Sequence, residues 1–342
     1  MSANVETMFY VNEDGSERNV PWHGLGTPVT TAPTSREALI MAGLDWKVNQ
    51  TEIVPYEQVK KIVTDIRFAM TMNQDISRYL HQLEELKIDG YRANYRETDN
   101  KTLGIVTNRY RICQNLDAFD FCDSLLGEGV TYETAGSLAS GKRIWLLAKM
   151  PKRMITDEAM ETYLVFTNSH DGKGAINVAI SPIRVVCQNT LNLALRQANR
   201  KWSCAHKGDI SGKLAEARMT LSNANAYMDY LEEEFGELKM IKMDEDKVWE
   251  YLKLLFPIDG SETAKKEDWM KQARLEVYND WNKPDLASRE KSAFRFVNAV
   301  SDFATHCTPM KRTRNYQENL FMKTMEGNPL IDKAYELVGA LR

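Results

Sequence analysis

The chain has 342 residues, 43% of them apolar, and 44 Lys plus Arg against 48 Asp plus Glu, enough for a sizeable core and about two domains. Its longest apolar runs, such as Leu164-Val165-Phe166, fall far short of the roughly 20 residues that cross a bilayer, and Met1-Ser2-Ala3-Asn4-Val5-Glu6 lacks the basic and apolar parts of a secretory signal. No membrane span is expected, the cytoplasm of the host cell is the expected location, and the net charge of −4 at first argues against a nucleic-acid partner.

In chain order, Pro21-Trp22-His23-Gly24-Leu25-Gly26 forms an ordered loop leading to a helix capped by Thr34 or Ser35, continued by Glu37 to Met41 and stopped by Gly43. Asp45 to Ile53 alternates apolar and polar residues as a strand with one buried face does. Strand patterns then recur from residue 90: Tyr91 to Arg96, Thr102 to Thr107, Val130 to Ser137, Arg143 to Lys149, Glu161 to Asn168 and Ala175 to Ile183. Turn chemistry separates them at Thr98-Asp99-Asn100, Ala139-Ser140-Gly141 and His170-Asp171-Gly172, so one substantial, mostly antiparallel sheet is predicted. A helix from Asn115 to Leu126 interrupts it with a broad apolar face. A second helix is predicted after Asn189 or Thr190, then a short strand-like stretch from Lys201 to Lys207.

From Gly212 onward the periodicity is helical, beginning with Gly212 to Leu238 and broken at Asp259-Gly260-Ser261, Asn282-Lys283-Pro284 and Gly327-Asn328-Pro329. The acidic Leu231-Glu232-Glu233-Glu234-Phe235 has the form of a solvated helix face. The fold class is therefore α+β, with a sheet-rich core over residues 1–211 and a helical carboxy-terminal region over 212–342.

The charge is uneven. Residues 1–139 carry 13 basic and 20 acidic residues, residues 140–213 carry 12 and 5, and residues 214–342 carry 19 and 23, giving −7, +7 and −4. A basic block between acidic flanks is the asymmetry of a localised anion-binding surface.

Signatures of phosphate loops, dinucleotide sites and nucleophile elbows are missing from the sequence. The five cysteines and five histidines have no metal-ligand spacing, so reduced, mostly buried thiols, no metal and no cofactor are expected. His170 beside Asp171 is chemically suggestive, but neighbours on an extended backbone point apart and Asp-Gly is turn chemistry. His23 has a similar choice between a binding loop and a cap on the core.

The junction Arg184-Val185-Val186-Cys187-Gln188-Asn189-Thr190 combines a cation, amides, a hydroxyl and free helix-start N–H groups, a setting suited to phosphate. Arg196, Arg200, Lys201 and Lys207 follow as further phosphate partners, Trp202 as an aromatic for stacking on a base or for the core, and Lys142 and Arg143 extend the groove from a neighbouring hairpin.

Tyr163 to Gly172 and Pro182 to Leu191, with Pro21 to Gly26, Tyr132 to Leu138 and Asn298 to Phe303, resemble the phage/plasmid-like family known as domain of unknown function 932. That resemblance implies no reaction. The order of hairpins, helix, basic strip and helical region is also similar, at fold level alone, to single-strand annealing recombination proteins of the Rad-fifty-two type. The leading expectation is a DNA-binding protein of a phage or mobile element that coats or anneals single strands in recombination or replication, as a homo-oligomer and with no catalytic residue assigned. The alternatives are a phage factor whose acidic helices between Gly212 and Asp280 bind a host protein, and a metal-dependent enzyme centred on His170 and Asp171.

Overall fold

The computed structural model describes residues 5–12, 26–127, 130–150, 153–155, 158–184, 201–221, 224–283, 290–306 and 328–341. The predicted loop around His23, the helix after Asn189, Cys187, Cys307, Arg196 and Arg200 lie outside these residues.

Strand β1 (Val5–Val11), which has little regular alternation, runs through the larger sheet beside β2 (Thr27–Val29). Helix α1 (Ser35–Met41) begins as expected: the Glu37 carboxylate accepts hydrogen bonds from the Thr34 N–H at 2.9 Å and from its hydroxyl at 2.8 Å. It ends before Gly43, whose φ of 61° is left-handed. The predicted strand at 45–53 shortens to β3 (Val48–Thr51), because the Trp46 indole N–H turns back to the Gly43 carbonyl.

Two helices that the strand pattern does not announce follow, α2 (Tyr56–Thr71) and α3 (Ser77–Glu85). In α2 only Ala69 is buried, and α3 has no buried residue. β4 (Tyr91–Arg96) and β5 (Thr102–Thr107) keep their predicted limits but form a separate antiparallel sheet, β3-β4-β5.

Helix α4 (Asn115–Leu126) also keeps its predicted bounds, with Ala118, Phe119, Phe121 and Cys122 buried. The strands β6 (Thr131–Leu138), β7 (Arg143–Lys149), β8 (Arg153–Ile155), β9 (Glu158–Ser169), β10 (Ile176–Arg184) and β11 (Lys201–Cys204) complete the larger sheet. Its order is β11-β10-β9-β7-β6-β1-β2, with β8 on β9, and every pairing is antiparallel except β1 with β2. The six strands expected in one sheet thus divide between two, since β6 pairs with the distant β1 and β4 with β3.

The helical region comprises α5 (Ile210–Leu221), α6 (Ala224–Met240), α7 (Glu245–Leu255), α8 (Ala264–Trp281), α9 (Ala293–His306) and α10 (Pro329–Gly339). The single helix predicted from Gly212 is divided into α5 and α6. Tyr227, Leu231, Phe235 and Leu238 place the buried stripe of α6, while Glu232 and Glu233 stay exposed, the solvated face expected of that acidic run. One core continues from Phe9 and Phe166 of the sheet through Leu214 and Phe235 to Val338 of α10. A smaller cluster of Met8, Tyr10, Leu138, Trp145, Tyr163 and Val165 lies on the opposite sheet face. The fold is α+β, an antiparallel-rich sheet with packed helices followed by a helical carboxy-terminal region. Among the described residues, no helix is long and apolar enough to cross a membrane.

Candidate nucleic-acid interface

Among the described residues, the predicted phosphate contacts stand at two ends of the larger sheet. Arg143 lies in register with Ser169, next to the β9–β10 turn, and the Lys142 carbonyl accepts from the His170 N–H. Arg184 pairs with Met160 at the other end of β10, roughly 30 Å away along the strands. The backbone of Lys142 and Arg143 and that of Arg184 thus stand at opposite ends of β9.

Trp202 requires a second correction. In β11, Lys201 and Ser203 face solvent, and the alternation of a strand turns Trp202 inward, where it is 9% exposed within the main core. The core reading of this residue holds, and it presents no face on which a base can stack.

The structure instead gathers cations that are distant in sequence. Tyr110 pairs with Lys207 in an antiparallel bridge, and the Arg111 N–H donates to the His206 carbonyl at 2.9 Å. Arg109 and Arg111, both exposed, thereby flank the residue whose backbone pairs with exposed Lys207. Lys201 begins the strand that leads to this point. Lys213 donates from Nζ to the carbonyls of Ala205 and Lys207, anchoring the segment from α5. Among the described residues, Arg109, Arg111, Lys201 and Lys207 make no ion pair. Residues 105–116 contain no acid and residues 201–213 only Asp209, while the Asp171 carboxylate of the neighbouring turn acts on Tyr110. Arg109 and Arg111 lie outside the basic block of the sequence, and non-local pairings of Tyr110 and Arg111 with Lys207 and His206 join their segment to it.

The ground under this strip is the Asn168-Ser169-His170-Asp171 segment. The Tyr110 hydroxyl donates to the Ser169 carbonyl at 2.7 Å, and its ring stacks on His206 at 4.4 Å. His206 is neutral, its Nδ1 hydrogen directed at the Arg111 carbonyl 2.9 Å away. Burial lowers its pKa against the pull of that carbonyl, and Lys213 lowers it further.

His170 is fully buried. Its Nε2 meets Asn115 Oδ1 at 2.9 Å, and the Asn115 amide nitrogen is committed to the Leu44 and Trp46 carbonyls, so His170 Nε2 carries the hydrogen. Burial first, then the nearby His206, hold its pKa down to about 3, with Asp171 opposing weakly. The Asn94 side chain donates to the His170 carbonyl at 2.7 Å, and the Asn168 side chain donates to the Cys113 carbonyl at 2.9 Å. These bonds tie the small sheet and the start of α4 to the β9–β10 turn. Burial likewise pushes the Cys113 and Cys122 thiols upward; both are free and buried, while free Cys204 is half-buried.

Asp171 faces elsewhere. Its carboxylate accepts from the Ser169 hydroxyl at 2.6 Å and the Lys173 N–H at 2.9 Å, and Gly172 follows at φ 77°, a local turn. His170 and Asp171 therefore share neither a proton nor a ligand position. Among the described residues, no group of three or more His, Cys, Asp or Glu has an arrangement that holds a metal ion.

Residues 102–324 match the family model described as Domain of unknown function (DUF932). The chain belongs to this family. Arg109, Arg111, Lys201, Lys207 and the buried Asn168–His170 support all fall within the DUF932 match, whereas β1, the helices α1 to α3 and β4 precede it. No curated protein and no solved structure matches the chain.

Proposed function

We propose that the protein binds nucleic acid by placing backbone phosphates along Arg109, Arg111 and Lys207, flanked by Lys201 and Lys213. One observation supports this reading: the Tyr110–Lys207 bridge joins two backbone segments that carry exposed Arg109, Arg111 and Lys207, which make no ion pair among the described residues, on a buried polar support. Cations so arranged replace the counterions that condense on a phosphate chain, and the release of those counterions drives binding. A net charge of −4 is compatible with this, because the acidic residues concentrate elsewhere in the chain.

Salt dependence tests it. For about four phosphates on a single strand, log affinity should fall with log salt at a slope near −3. Binding that is absent at low salt, or that does not change between low and moderate salt, would remove the proposal.

A further inference from the structure

The outer face of the small sheet is uncharged and open beside the strip. Register places Tyr91 opposite Thr107, Ala93 opposite both Ile105 and Thr51, and Tyr95 opposite Asn49, so these side chains share one face. Tyr91 is 51% exposed and Ile105 62%, and as diagonal neighbours on that face they form a step of apolar surface. The other face carries Asn94 and Arg96 toward the rest of the protein and Arg92 in an ion pair with Glu52, so the paired strand residues of the outer face are uncharged. The Asn108 N–H donates to the Gly90 carbonyl at 3.0 Å, and the Tyr110 N–H closes a turn onto the Thr107 carbonyl at 2.9 Å. Tyr91 thus stands at the foot of the turn that presents Arg109.

We propose that Tyr91, supported by Ile105, is a base-stacking platform that makes the neighbouring Arg109–Arg111–Lys207 strip selective for single-stranded nucleic acid. This rests on the phosphate-binding reading above and assigns it a strand form. In a duplex the flat faces of the bases are covered by stacking on one another; in a single strand they are available to an aromatic ring set on a sheet surface beside cations. The aromatic role expected of Trp202 passes to a residue before the basic block, because the sheet register, not sequence proximity, brings it to the strip. Cations flanking the face favour a polyanion over an apolar protein surface as its occupant.

The experiment compares three fluorescent probes with the full chain: a 20-nucleotide oligothymidine, an abasic 20-mer with the same phosphates, and a 20-base-pair duplex. The wild type should prefer oligothymidine to the abasic strand about tenfold or more. Tyr91→Ala should erase that preference while keeping abasic and duplex binding, and Tyr91→Phe should keep it; the exposure of Tyr91 makes both variants compatible with an intact fold. A double variant Arg109→Ala, Arg111→Ala should weaken all three probes. If Tyr91→Ala binds oligothymidine like the wild type while the arginine variant fails, stacking is wrong and phosphate binding stands. If the wild type binds none of the probes, both are wrong. If Tyr91→Ala changes the sedimentation coefficient and leaves base preference intact, the face joins copies of the chain, and the stacking proposal is overturned.

Discussion

The two ends of the β4–β5 hairpin put arginine to opposite uses. At the closed end, Arg96 is buried: Nη1 and Nη2 donate to the two Glu6 oxygens at 3.1 and 2.9 Å, Nε and Nη2 to Asp99 at 3.0 and 2.8 Å, and the guanidinium lies over Trp46 at 5.3 Å. At the open end, Arg109 and Arg111 are exposed on either side of Tyr110, which pairs with Lys207, and make no ion pair among the described residues. A cation whose hydrogen-bonding capacity is already filled by carboxylates holds the protein together. One that is held out by a rigid backbone, without a partner, is available to a ligand. Lys142 and Arg143 follow Gly141, which abuts Arg96 and Glu6, and they pair with the β9–β10 turn on the side of the closed end.

Removing the closed-end cation should have the largest effect on stability. Arg96→Met takes from the Glu6 and Asp99 carboxylates their shared donor and leaves Lys101 3.7 Å from Glu6, and urea unfolding should show a loss of about 3 kcal/mol. Nucleic-acid affinity of the folded fraction should be nearly unchanged, which separates the two ends of the hairpin.

Acid should act on the buried support before it acts on the closed end. His170 is held neutral down to about 3, whereas the unfolded chain takes up the proton near 6.5. Stability is therefore full above 6.5 and falls as pH drops toward 3, because the unfolded state binds the extra proton. The loss from His170 should reach about 2.5 kcal/mol by pH 4.5, and His206 adds to it in the same direction. Glu6 follows at lower pH: burial would raise its pKa, but the Arg96 hydrogen bond and charge outweigh burial and leave it lowered, so its contribution is lost only as pH falls below 4.5. Chemical unfolding between pH 7 and 4.5 in the wild type and in His170→Asn checks this; the variant should show a shallower decline.

Gly104 gives a smaller effect. A Cβ there would lie 2.5 Å from the Asp171 Cα, a backbone atom that cannot step aside without moving the β9–β10 turn. Gly104→Ala should cost about 1–3 kcal/mol in thermal or urea unfolding, with the turn under Tyr110 displaced.

Local patterns carried much of the fold. The limits of α4, β4, β5 and β7 follow from apolar spacing and turn residues, and the Thr34–Glu37 pair marks the start of α1. The helices α2 and α3 escaped because their apolar residues, such as Tyr56 and Phe68, lie largely exposed and have no buried partner to sharpen the pattern. The division into two sheets was not legible, since it depends on pairings as remote as Thr7 with Ser137. For the candidate site, Lys201 and Lys207 were legible from charge, and the inward turn of Trp202 was implicit in the Lys-Trp-Ser alternation. Arg109 and Arg111 were not, because a bridge across nearly a hundred residues brings them to Lys207.

The central claim is that phosphate is held at the open end of the hairpin, and paired charge reversals measured against one single-stranded probe at fixed low salt test it most directly. Arg109→Glu with Arg111→Glu should lower affinity about a hundredfold, while Lys142→Glu with Arg143→Glu should change it less than about threefold. Equal losses from both pairs, or a loss from the second pair alone, would contradict the account.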